Sequence, residues 1–492
     1  MILFLDHNTP EASFLLHSLR EAGCAPRAVY LEDDGFLPEE VSSPYRFWCQ
    51  RQRQTPSHPR YFDRLEVPDG WEIRSTGAEG SIWDYDRQRA RIHYAPPADR
   101  RYIQSVDWLD ESGNTIWTDH YDDEGSLFAR TACDAKGRPV LKSYYAKDGT
   151  EAITENLQSH VILLRDQTGK STASSEQGAS QVDRNFIFRN KTEFVLHYLK
   201  AAGADCERIL LNSLSYPLFV QRRLRADAES CGKKETDGKD LQAGRSAGQK
   251  NGDLLFWQED IYGKLPGNMV AVMNDPRGIG RIVVQSPGVL DKILDQLHAH
   301  AEENGIRDPE RAERMVTSLG YLYPVENPPK QERSICILTN SDAIEKLDEL
   351  TAALPDYVFH IGALTEMSDR LLRMQKKNNV RLYPGMTGSR ARELVSGCEF
   401  CLDINHGSEV MDTVREAYLS QTVILAFQET RHNAMFTADR NTFAAADWEK
   451  MAETLRRAAA SAEERRHLLK LQDGKAMRAA VDEYSRIVGG CT

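Results

Sequence analysis

An acidic segment with one histidine follows a short apolar run in the last third of the chain. It reads Asp403-Ile-Asn-His-Gly-Ser-Glu409, and Glu416 lies seven residues beyond Glu409. The pattern predicts a helix that starts at Glu409 and carries both glutamates on one face, because seven residues make about two turns. A helix N-terminus can hold a diphosphate and a carboxylate can bind a ribose, so His406, Glu409 and Glu416 are candidates for a nucleotide site. The alternative is that Glu409 only stabilises the first helical turn.

The cations that such a site requires are missing from the expected place. Transfer of a sugar from a nucleotide leaves a diphosphate, whose developing negative charge is met by basic side chains. The loop after the first strand predicted in this half reads Thr339-Asn-Ser-Asp342, without Arg, and Lys346 lies a helical turn further on. Asp342 would repel a diphosphate, so the sequence predicts a vestigial site with no catalytic residue. If Arg370 or Arg381 supplied the charge from elsewhere, the site would still be active.

Other sequence patterns that signal chemistry are absent or weak. Cys398-Glu-Phe-Cys401 is a lone C-x-x-C pair, without the second pair that a structural zinc site needs. The sequence contains no Walker loop and no serine nucleophile elbow. We therefore predict no metal site and no cofactor bound to this chain.

Four units of 12 residues follow one another in the first third of the chain. Their glycines, Gly113, Gly125, Gly137 and Gly149, are equally spaced, and each follows an aspartate by one or three positions. Asp and Gly at these places suit tight turns with a left-handed residue. A 12-residue unit cannot bury its own face, so residues 106–153 are predicted to form an antiparallel β-meander. We expect the meander to fold as a separate module, residues 61–184, whose deletion leaves the rest of the protein folded.

Aromatic side chains recur along the predicted meander and are candidates for contact with another polypeptide. An antiparallel sheet with free edges can pair with a second sheet or with an extended peptide. Because the side chains of a strand alternate between two faces, some of these rings must lie on the outer face. The candidates for binding a partner or an acceptor chain are Trp83, Trp108, Trp117, Tyr121 and Tyr145. The alternative is that most of them pack the inner face.

Alternating strands and helices are predicted on both sides of the meander. Residues 1–60 and 185–322 read as one Rossmann-like domain, and residues 323–492 as a second one with C-terminal helices. The strands predicted for the first domain include Phe186–Phe188 and Asn268–Met273, and the polar stretches Gln167–Asp183 and Ala226–Gly252 are predicted loops. The fold class is therefore α/β, with an antiparallel meander inserted in the N-terminal half.

Composition limits the partners and the compartment. The 492 residues carry a formal net charge of −12, which disfavours general binding to the phosphates of nucleic acid. The longest apolar runs, such as Val161–Leu164, are too short to cross a bilayer. The first residues lack the basic start and long apolar stretch of a signal peptide. We therefore expect a cytoplasmic protein.

Several segments, in this order along the chain, resemble one known family. They are Leu31-Glu-Asp-Asp-Gly-Phe-Leu-Pro38, Arg60-Tyr-Phe62, Ser105-Val-Asp-Trp-Leu-Asp110, Asn212-Ser-Leu-Ser215, Leu255-Phe-Trp-Gln-Glu259 and Pro266-Gly-Asn-Met269. On these segments the chain resembles the GtfB family, the glycosylation chaperones of accessory Sec systems. The resemblance is spread over almost the whole chain.

The resemblance implies a GT-B-like pair of Rossmann-type domains and a division of labour between two subunits. A family member is expected to be the non-catalytic partner of GtfA, in a heterotetramer with two copies of each. GtfA is expected to bind UDP-GlcNAc and to transfer the sugar to Ser or Thr hydroxyls of a serine-rich-repeat adhesin before export. The B subunit would stabilise GtfA and hold the unfolded acceptor, in peripheral contact with the inner membrane face. The competing hypothesis is an active GT-B glycosyltransferase that uses a UDP-sugar at Glu409 and Glu416.

Overall fold

A computed structural model describes residues 1–51, 58–76, 79–166, 184–235 and 252–489. The chain divides into two units, Met1–Leu319 with the segment from Ala480 onward, and Gly320–Ala479. The second domain was predicted to comprise residues 323–492, whereas the segment from Ala480 onward belongs to the first unit.

The chain opens with a parallel β-α-β element. Strands β1 (Ile2–Leu5) and β2 (Arg27–Tyr30) flank helix α1 (Pro10–Glu21) and pair in parallel. Thr9 caps α1, because its Oγ1 accepts the amide hydrogen of Ala12 at 3.1 Å, and Pro10 fits a first turn whose amides have no helical acceptor. A short helix, α2 (Pro44–Trp48), follows.

An antiparallel sheet then runs strand by strand along the sequence. Its strands are β3 (Glu72–Ser75), β4 (Glu79–Asp84), β5 (Arg87–Tyr94), β6 (Ile103–Leu109), β7 (Thr115–Tyr121), β8 (Leu127–Cys133), β9 (Pro139–Tyr145), β10 (Glu151–Asn156), β11 (Ile162–Asp166) and β12 (Arg184–Phe188). The predicted meander is therefore present, and it is wider than its four repeats. The assignment of Phe186–Phe188 to the α/β domain is wrong, because β12 pairs antiparallel with β11.

Local turn chemistry fixes the repeats, as predicted. The four repeat glycines have φ values of 82°, 76°, 74° and 83°, in the left-handed region that favours glycine. In the first three turns the Oδ1 atoms of Asp110, Asp122 and Asp134 each accept backbone amide hydrogens from the residues two and four positions further on. These bonds hold each turn closed independently of the rest of the fold.

The first parallel sheet resumes after the meander. Its elements are α3 (Lys191–Ala201), β13 (Ile209–Leu211), α4 (Tyr216–Glu235), β14 (Asp253–Trp257), α5 (Gly267–Asn274), β15 (Ile279–Val284), α6 (Pro287–Ala299), α7 (Pro309–Met315) and β16 (Val316–Ser318). The strand order is β16-β15-β14-β13-β1-β2, with all pairs parallel.

Two predictions in this region are wrong. Residues Asn268–Met273 lie in helix α5 rather than in a strand, and their buried side chains, Met269, Val272 and Met273, recur with helical spacing. The loop predicted at Ala226–Gly252 is helical as far as Glu235, where α4 ends. Residues 236–251 and the predicted loop Gln167–Asp183 lie outside the described residues.

The meander shares its core with the first parallel sheet. Tyr144 and Ile153 of the meander belong to one buried cluster with Tyr45 of α2 and Phe194 of α3. The rings of Tyr45 and Tyr144 stack with their centroids 4.3 Å apart. This shared core argues against the expectation of a separately folding module, because removal of the meander would expose the core to water.

The second unit is a doubly wound parallel sheet, as predicted. Its strands are β17 (Gln331–Leu338), β18 (Val358–Gly362), β19 (Val380–Tyr383), β20 (Cys398–Asp403), β21 (Val423–Phe427) and β22 (Thr442–Phe443). They lie in the order β19-β18-β17-β20-β21-β22, the Rossmann order. The helices are α8 (Leu347–Ala353), α9 (Asp369–Leu372), α10 (Gly388–Gly397), α11 (Thr413–Leu419), α12 (Trp448–Ala460) and α13 (Ala462–Lys475).

The remaining helices are short. Helix α14 (Val481–Val488) belongs to the first unit. Turns of 3-10 helix lie at Phe62–Arg64, Ala98–Arg100, Arg373–Lys376, Asp439–Asn441 and Ala445–Asp447.

Candidate functional site

The predicted nucleotide site lies at the carboxyl edge of the second unit's sheet, where doubly wound folds bind ligands. Asn405, which is buried, joins the loops after β17 and β20. Its Oδ1 accepts hydrogen bonds from Thr339 Oγ1 at 2.8 Å and from the amide of Gly407 at 3.0 Å, and its Nδ2 donates to Asn340 Oδ1 at 3.3 Å. A Cβ atom at Gly407 would lie 1.8 Å from Asn340 Oδ1, so the loops are packed against each other. The two loops therefore use their polar groups in hydrogen bonds with each other at this edge of the sheet.

His432 forms an ion pair with Asp403 at the same edge. Its Nδ1 lies 2.5 Å from Asp403 Oδ1, and its backbone amide donates to Asp403 Oδ2 at 2.8 Å. The other ring nitrogen, Nε2, donates to the carbonyl oxygen of Gly407 at 2.6 Å. Both ring nitrogens thus face acceptors, and the hydrogen bond to Asp403 raises the pKa of His432 to about 9. The imidazolium charge is already matched by the Asp403 carboxylate.

Glu409 stabilises the start of a helix, which was the alternative to a role in nucleotide binding. Its Oε1 accepts the amide hydrogen of Val414 at 2.9 Å, so Glu409 stabilises the first turn of α11. Burial raises the pKa of the Glu409 carboxyl. Helix α11 begins only at Thr413, so the prediction that Glu409 and Glu416 share one helix face is wrong, since Glu416 lies inside the helix and Glu409 before it.

Basic side chains in the described loops after β17, β20 and β21 are all paired with carboxylates. These loops comprise residues 339–346, 404–412 and 428–434. Beside the His432–Asp403 pair, they contain His406 with Glu345 at 2.6 Å, Lys346 with Glu349 at 3.4 Å and Arg431 with Asp439 at 3.2 Å. A diphosphate would have to displace a carboxylate from each of these basic side chains, which disfavours nucleotide binding at this edge.

Two of the predicted aromatic residues lie side by side on the meander. Trp108 of β6 and Trp117 of β7 are cross-strand partners, with ring centroids 6.2 Å apart. Trp108 Nε1 donates to Asp119 Oδ2 at 3.0 Å, and the guanidinium of Arg130 lies 5.6 Å from the centroid of Trp117. Arg130 also donates to both oxygens of Asp119, at 2.6 and 3.1 Å. The two rings are half-buried and held in place by this network.

The other three aromatic candidates are dispersed. Trp83 of β4 is half-buried, and its Nε1 donates to Ser81 Oγ at 2.8 Å. Tyr121 is 6% exposed and packs in the core of the meander, so its ring is not part of a free surface. Tyr145, half-buried at the end of β9, pairs with Glu151 of β10. The structure therefore brings together only Trp108 and Trp117.

Strands β7 to β12 have a second face, opposite the one that packs on the first parallel sheet. Cross-strand pairing places Trp117, Ala132 and Leu141 on this face, together with Leu163 and Ile187. We call these five residues the outer face. Ile187 is 73% exposed, and Ala132 is also exposed. A sheet face with exposed apolar side chains is suited to contact with another protein.

Four domain models of one family match this chain in order. They are the GtfB N-terminal domain at residues 2–48, the GtfB middle domain at 71–173, the GtfB third domain at 191–231 and 242–296, and the GftB/GlyA-F C-terminal domain at 335–472. The UDP-N-acetylglucosamine–peptide N-acetylglucosaminyltransferase stabilizing protein GtfB of Streptococcus agalactiae is 32% identical over 491 residues, which cover 100% of this chain and 99% of the relative. Its counterpart in Streptococcus parasanguinis is 36% identical over 90% of each chain. This chain belongs to the GtfB family.

A crystal structure shows a fold similar to that of this GtfB-family chain. A chain of the GtfA/B complex bound to UDP and GlcNAc matches it with a TM-score of 0.84, at 30% identity and with 99% of both chains covered. The match confirms the predicted fold class, a GT-B-like pair of Rossmann-type domains with an inserted antiparallel meander. Within the described ranges, none of the helices combines the length and the apolar character needed to span a bilayer.

The GtfB-family segment Leu31–Pro38 contacts the meander through Gly35, and this role was not predicted from the sequence. Gly35 has a φ of 85°, and a Cβ atom there would lie 2.7 Å from Phe128 Cε1. Its carbonyl oxygen accepts the amide hydrogen of Asp123 at 2.9 Å. Nearby, Arg51 Nη2 lies 2.5 Å from Asp122 Oδ2, and both side chains are about nine-tenths buried. The feature visible in the sequence was Gly35, which follows the acidic residues Glu32 to Asp34. The turn that it contacts, at Asp122 and Asp123, lies nearly ninety residues further along the chain.

A second polar edge in the GtfB-family chain was also missed. At the carboxyl ends of β1, β13, β14 and β15 the next residue is an aspartate or a carboxamide, namely Asp6, Asn212, Gln258 and Gln285. The signal was visible in the sequence, because each of these residues directly follows a buried apolar strand. We call these four residues the amide row.

Proposed function

We propose that this chain is the non-catalytic stabilising and acceptor-binding subunit of a peptide O-GlcNAc transferase. Its partner is a GtfA-type glycosyltransferase, which holds UDP-GlcNAc, and the acceptor is an unfolded Ser/Thr-rich adhesin. Full-length relatives named as stabilizing proteins of such an enzyme support the proposal. The observation that carries the non-catalytic part is the pairing of each basic side chain with a carboxylate in the described loops after β17, β20 and β21.

The proposal includes a setting for the complex. Glycosylation takes place in the cytoplasm, with peripheral contact with the inner face of the membrane, before the adhesin is exported by the accessory Sec system. Two copies of each subunit form a heterotetramer. Size-exclusion chromatography with light scattering on the co-expressed pair tests the stoichiometry. If a GtfA-type protein does not co-purify with this chain, the partner-subunit proposal is wrong.

The outer face is the surface that we assign to the GtfA-type partner. Stable protein complexes bury apolar side chains at the centre of their interface, and Ile187 is 73% exposed. Ile187→Lys should weaken association about tenfold or more, because a lysine would be buried without a partner. Val481→Lys is a matched control on α14, where Val481 is 52% exposed. Equal effects of the two variants would remove the outer face from the proposal.

The non-catalytic assignment is tested by a glycosylation assay with each subunit alone and with both together. This chain alone should transfer no GlcNAc, and calorimetry should show no micromolar binding of UDP-GlcNAc. Micromolar binding that is lost in Glu409→Gln would favour the competing hypothesis, an active GT-B glycosyltransferase that uses Glu409 and Glu416. Glutamine is the appropriate substitution, because its carbonyl oxygen retains the acceptor for the Val414 amide.

A further inference from the structure

The amide row crosses four adjacent strands of the first parallel sheet. The strand order β15-β14-β13-β1 makes Gln285, Gln258, Asn212 and Asp6 successive neighbours at the carboxyl edge. The pairing of Trp257 with Val284 sets Gln258 beside Gln285. The carboxyl edge of a parallel sheet is the general position for ligands in α/β folds.

Hydrogen bonds connect the middle of the row. Asn212 Oδ1 accepts the amide hydrogen of Asp6 at 3.0 Å, and Asn212 Nδ2 donates to Gln258 Oε1 at 3.1 Å. Gln258 Nε2 donates to the carbonyl oxygen of Glu11 at 2.8 Å, and Ser213 Oγ donates to Asp6 Oδ2 at 3.0 Å. These bonds fix the direction in which each amide in the middle of the row presents its oxygen and nitrogen.

The two ends of the row differ from the middle. Gln285 is 4% exposed and Asp6 is 8% exposed. Gln285 Oε1, Gln285 Nε2 and Asp6 Oδ1 are buried and make no hydrogen bond with any described residue. Buried polar atoms are normally satisfied, because leaving one without a partner destabilises the fold. Unsatisfied atoms at both ends of one continuous row point to a ligand that completes their hydrogen bonds.

The length of the row indicates an extended chain. Neighbouring strands lie about 4.8 Å apart, so the row spans about 14 Å from Asp6 to Gln285. An extended polypeptide advances about 3.3–3.6 Å per residue, so about four residues would cover the row. Asn212 and Gln258 are half-buried, so an extended chain can reach them from solvent. Gln285 loses no hydrogen bond to a described residue when its side chain turns toward the ligand.

The chemistry of the row indicates a neutral ligand rich in amides and hydroxyls. Carboxamides offer both a donor and an acceptor, which complements peptide groups, and the Asp6 carboxylate accepts a hydroxyl hydrogen. Lys292 of α6, the helix that follows β15, pairs with Asp260 at 2.7 Å, so it does not favour an anion. We propose that the amide row binds an extended segment of the Ser/Thr-rich acceptor polypeptide. This inference rests on the proposed function and names a site for its acceptor.

The test is the affinity of the full chain for a fluorescein-labelled Ser/Thr-repeat peptide, measured by fluorescence anisotropy. Gln285→Met keeps the length of the side chain and removes its polar atoms. It should weaken binding about fivefold or more, the loss expected for a net hydrogen bond, without lowering the melting temperature. Gln331→Met, at an exposed amide in the second unit, is the control and should bind the peptide like the wild type. Asp6→Asn tests the other end of the row and should also weaken binding.

Each outcome bears on the inference. If the wild type binds the peptide and both Gln285→Met and Asp6→Asn bind it equally well, the amide row is not the acceptor site, and the proposed function stands. If the wild type binds no peptide, the inference and the acceptor-binding part of the proposed function both fail. If GlcNAc or UDP-GlcNAc displaces the peptide, the row is a sugar site and the inference is overturned. Weaker binding at both ends, with unchanged melting and no displacement by sugar, supports it.

Discussion

Raising the pH from 7 to 10 should destabilise the second unit through His432. The pKa of this imidazole is raised to about 9 in the folded chain by its hydrogen bond to Asp403, against about 6.5 in an unfolded chain. A raised folded-state pKa stabilises the fold fully below about pH 6.5, and this contribution is lost as the pH rises through about 9. A shift of about 2.5 units corresponds to at most about 3.4 kcal/mol. Because the side chain is 16% exposed, solvent screening reduces the expected contribution to about 2 kcal/mol.

The assay compares thermal unfolding of the wild type and His432→Gln at pH 7 and pH 10. For a unit of about 160 residues, 1 kcal/mol corresponds to about 2–4 °C, so the gap between the two melting temperatures should narrow by about 4–8 °C. Lys330 acts in the opposite direction, since burial lowers its pKa to about 8 and its contribution to stability therefore increases with pH. This term is common to both proteins and cancels in the comparison. A gap that does not change with pH would refute the assignment of His432 as an imidazolium paired with Asp403.

Three further predictions concern the junction of the meander with the first parallel sheet. Gly35→Ala should lower the free energy of unfolding by about 2–4 kcal/mol, because of its positive φ and the 2.7 Å approach to Phe128. Gly70→Ala, at a φ of 88° with open space around it, is the matched control for thermal unfolding, since it carries the backbone strain without the clash. Arg51→Met should cost about 3–5 kcal/mol in urea denaturation, because it leaves Asp122 buried without its cation. Deletion of residues 61–184 should abolish the cooperative melting of the first unit in calorimetry, because the meander forms part of its core.

Other outcomes for these three variants would contradict the prediction made for each. A Gly35→Ala protein as stable as Gly70→Ala would show that the loop moves away from Phe128 without cost. An Arg51→Met protein of wild-type stability would show that the ion pair with Asp122 contributes nothing net. A deletion variant with a cooperative first unit would restore the view of the meander as an independent module.

Local chemistry decided which parts of the fold were predictable. The meander turns followed from Asp and Gly at fixed offsets, because each turn is closed by bonds within five residues. The apolar run Asn268–Met273 was mistaken for a strand, because periodicity cannot separate a short buried strand from a short buried helix. Strand β12 was assigned to the wrong sheet, because its antiparallel partner is separated from it by the segment between residues 166 and 184.

The candidate site was predictable only in outline, for a related reason. The sequence located the loop from Asp403 to Glu409 and the lack of an arginine between Thr339 and Asp342, since both depend on residue type alone. It could not show that Glu409 bonds an amide five residues away, because helix α11 begins later than the residue pattern indicates. The aromatic candidates Trp108 and Trp117 were brought together by cross-strand register, which depends on a bulge that spacing alone does not reveal.

The two polar edges of this chain differ in how their hydrogen bonds are used, and this difference bears on function. At the carboxyl edge of the second unit, the polar atoms of Asn405 and His432 form hydrogen bonds with neighbouring residues and loops. A ligand would have to break those bonds. At the carboxyl edge of the first unit's sheet, Gln285 and Asp6 keep buried atoms without a partner among the described residues. An unsatisfied buried atom lowers stability, so a ligand that bonds to it gains affinity without breaking an existing contact. This GT-B-like chain therefore has a physical reason to bind a polar polypeptide at its first sheet.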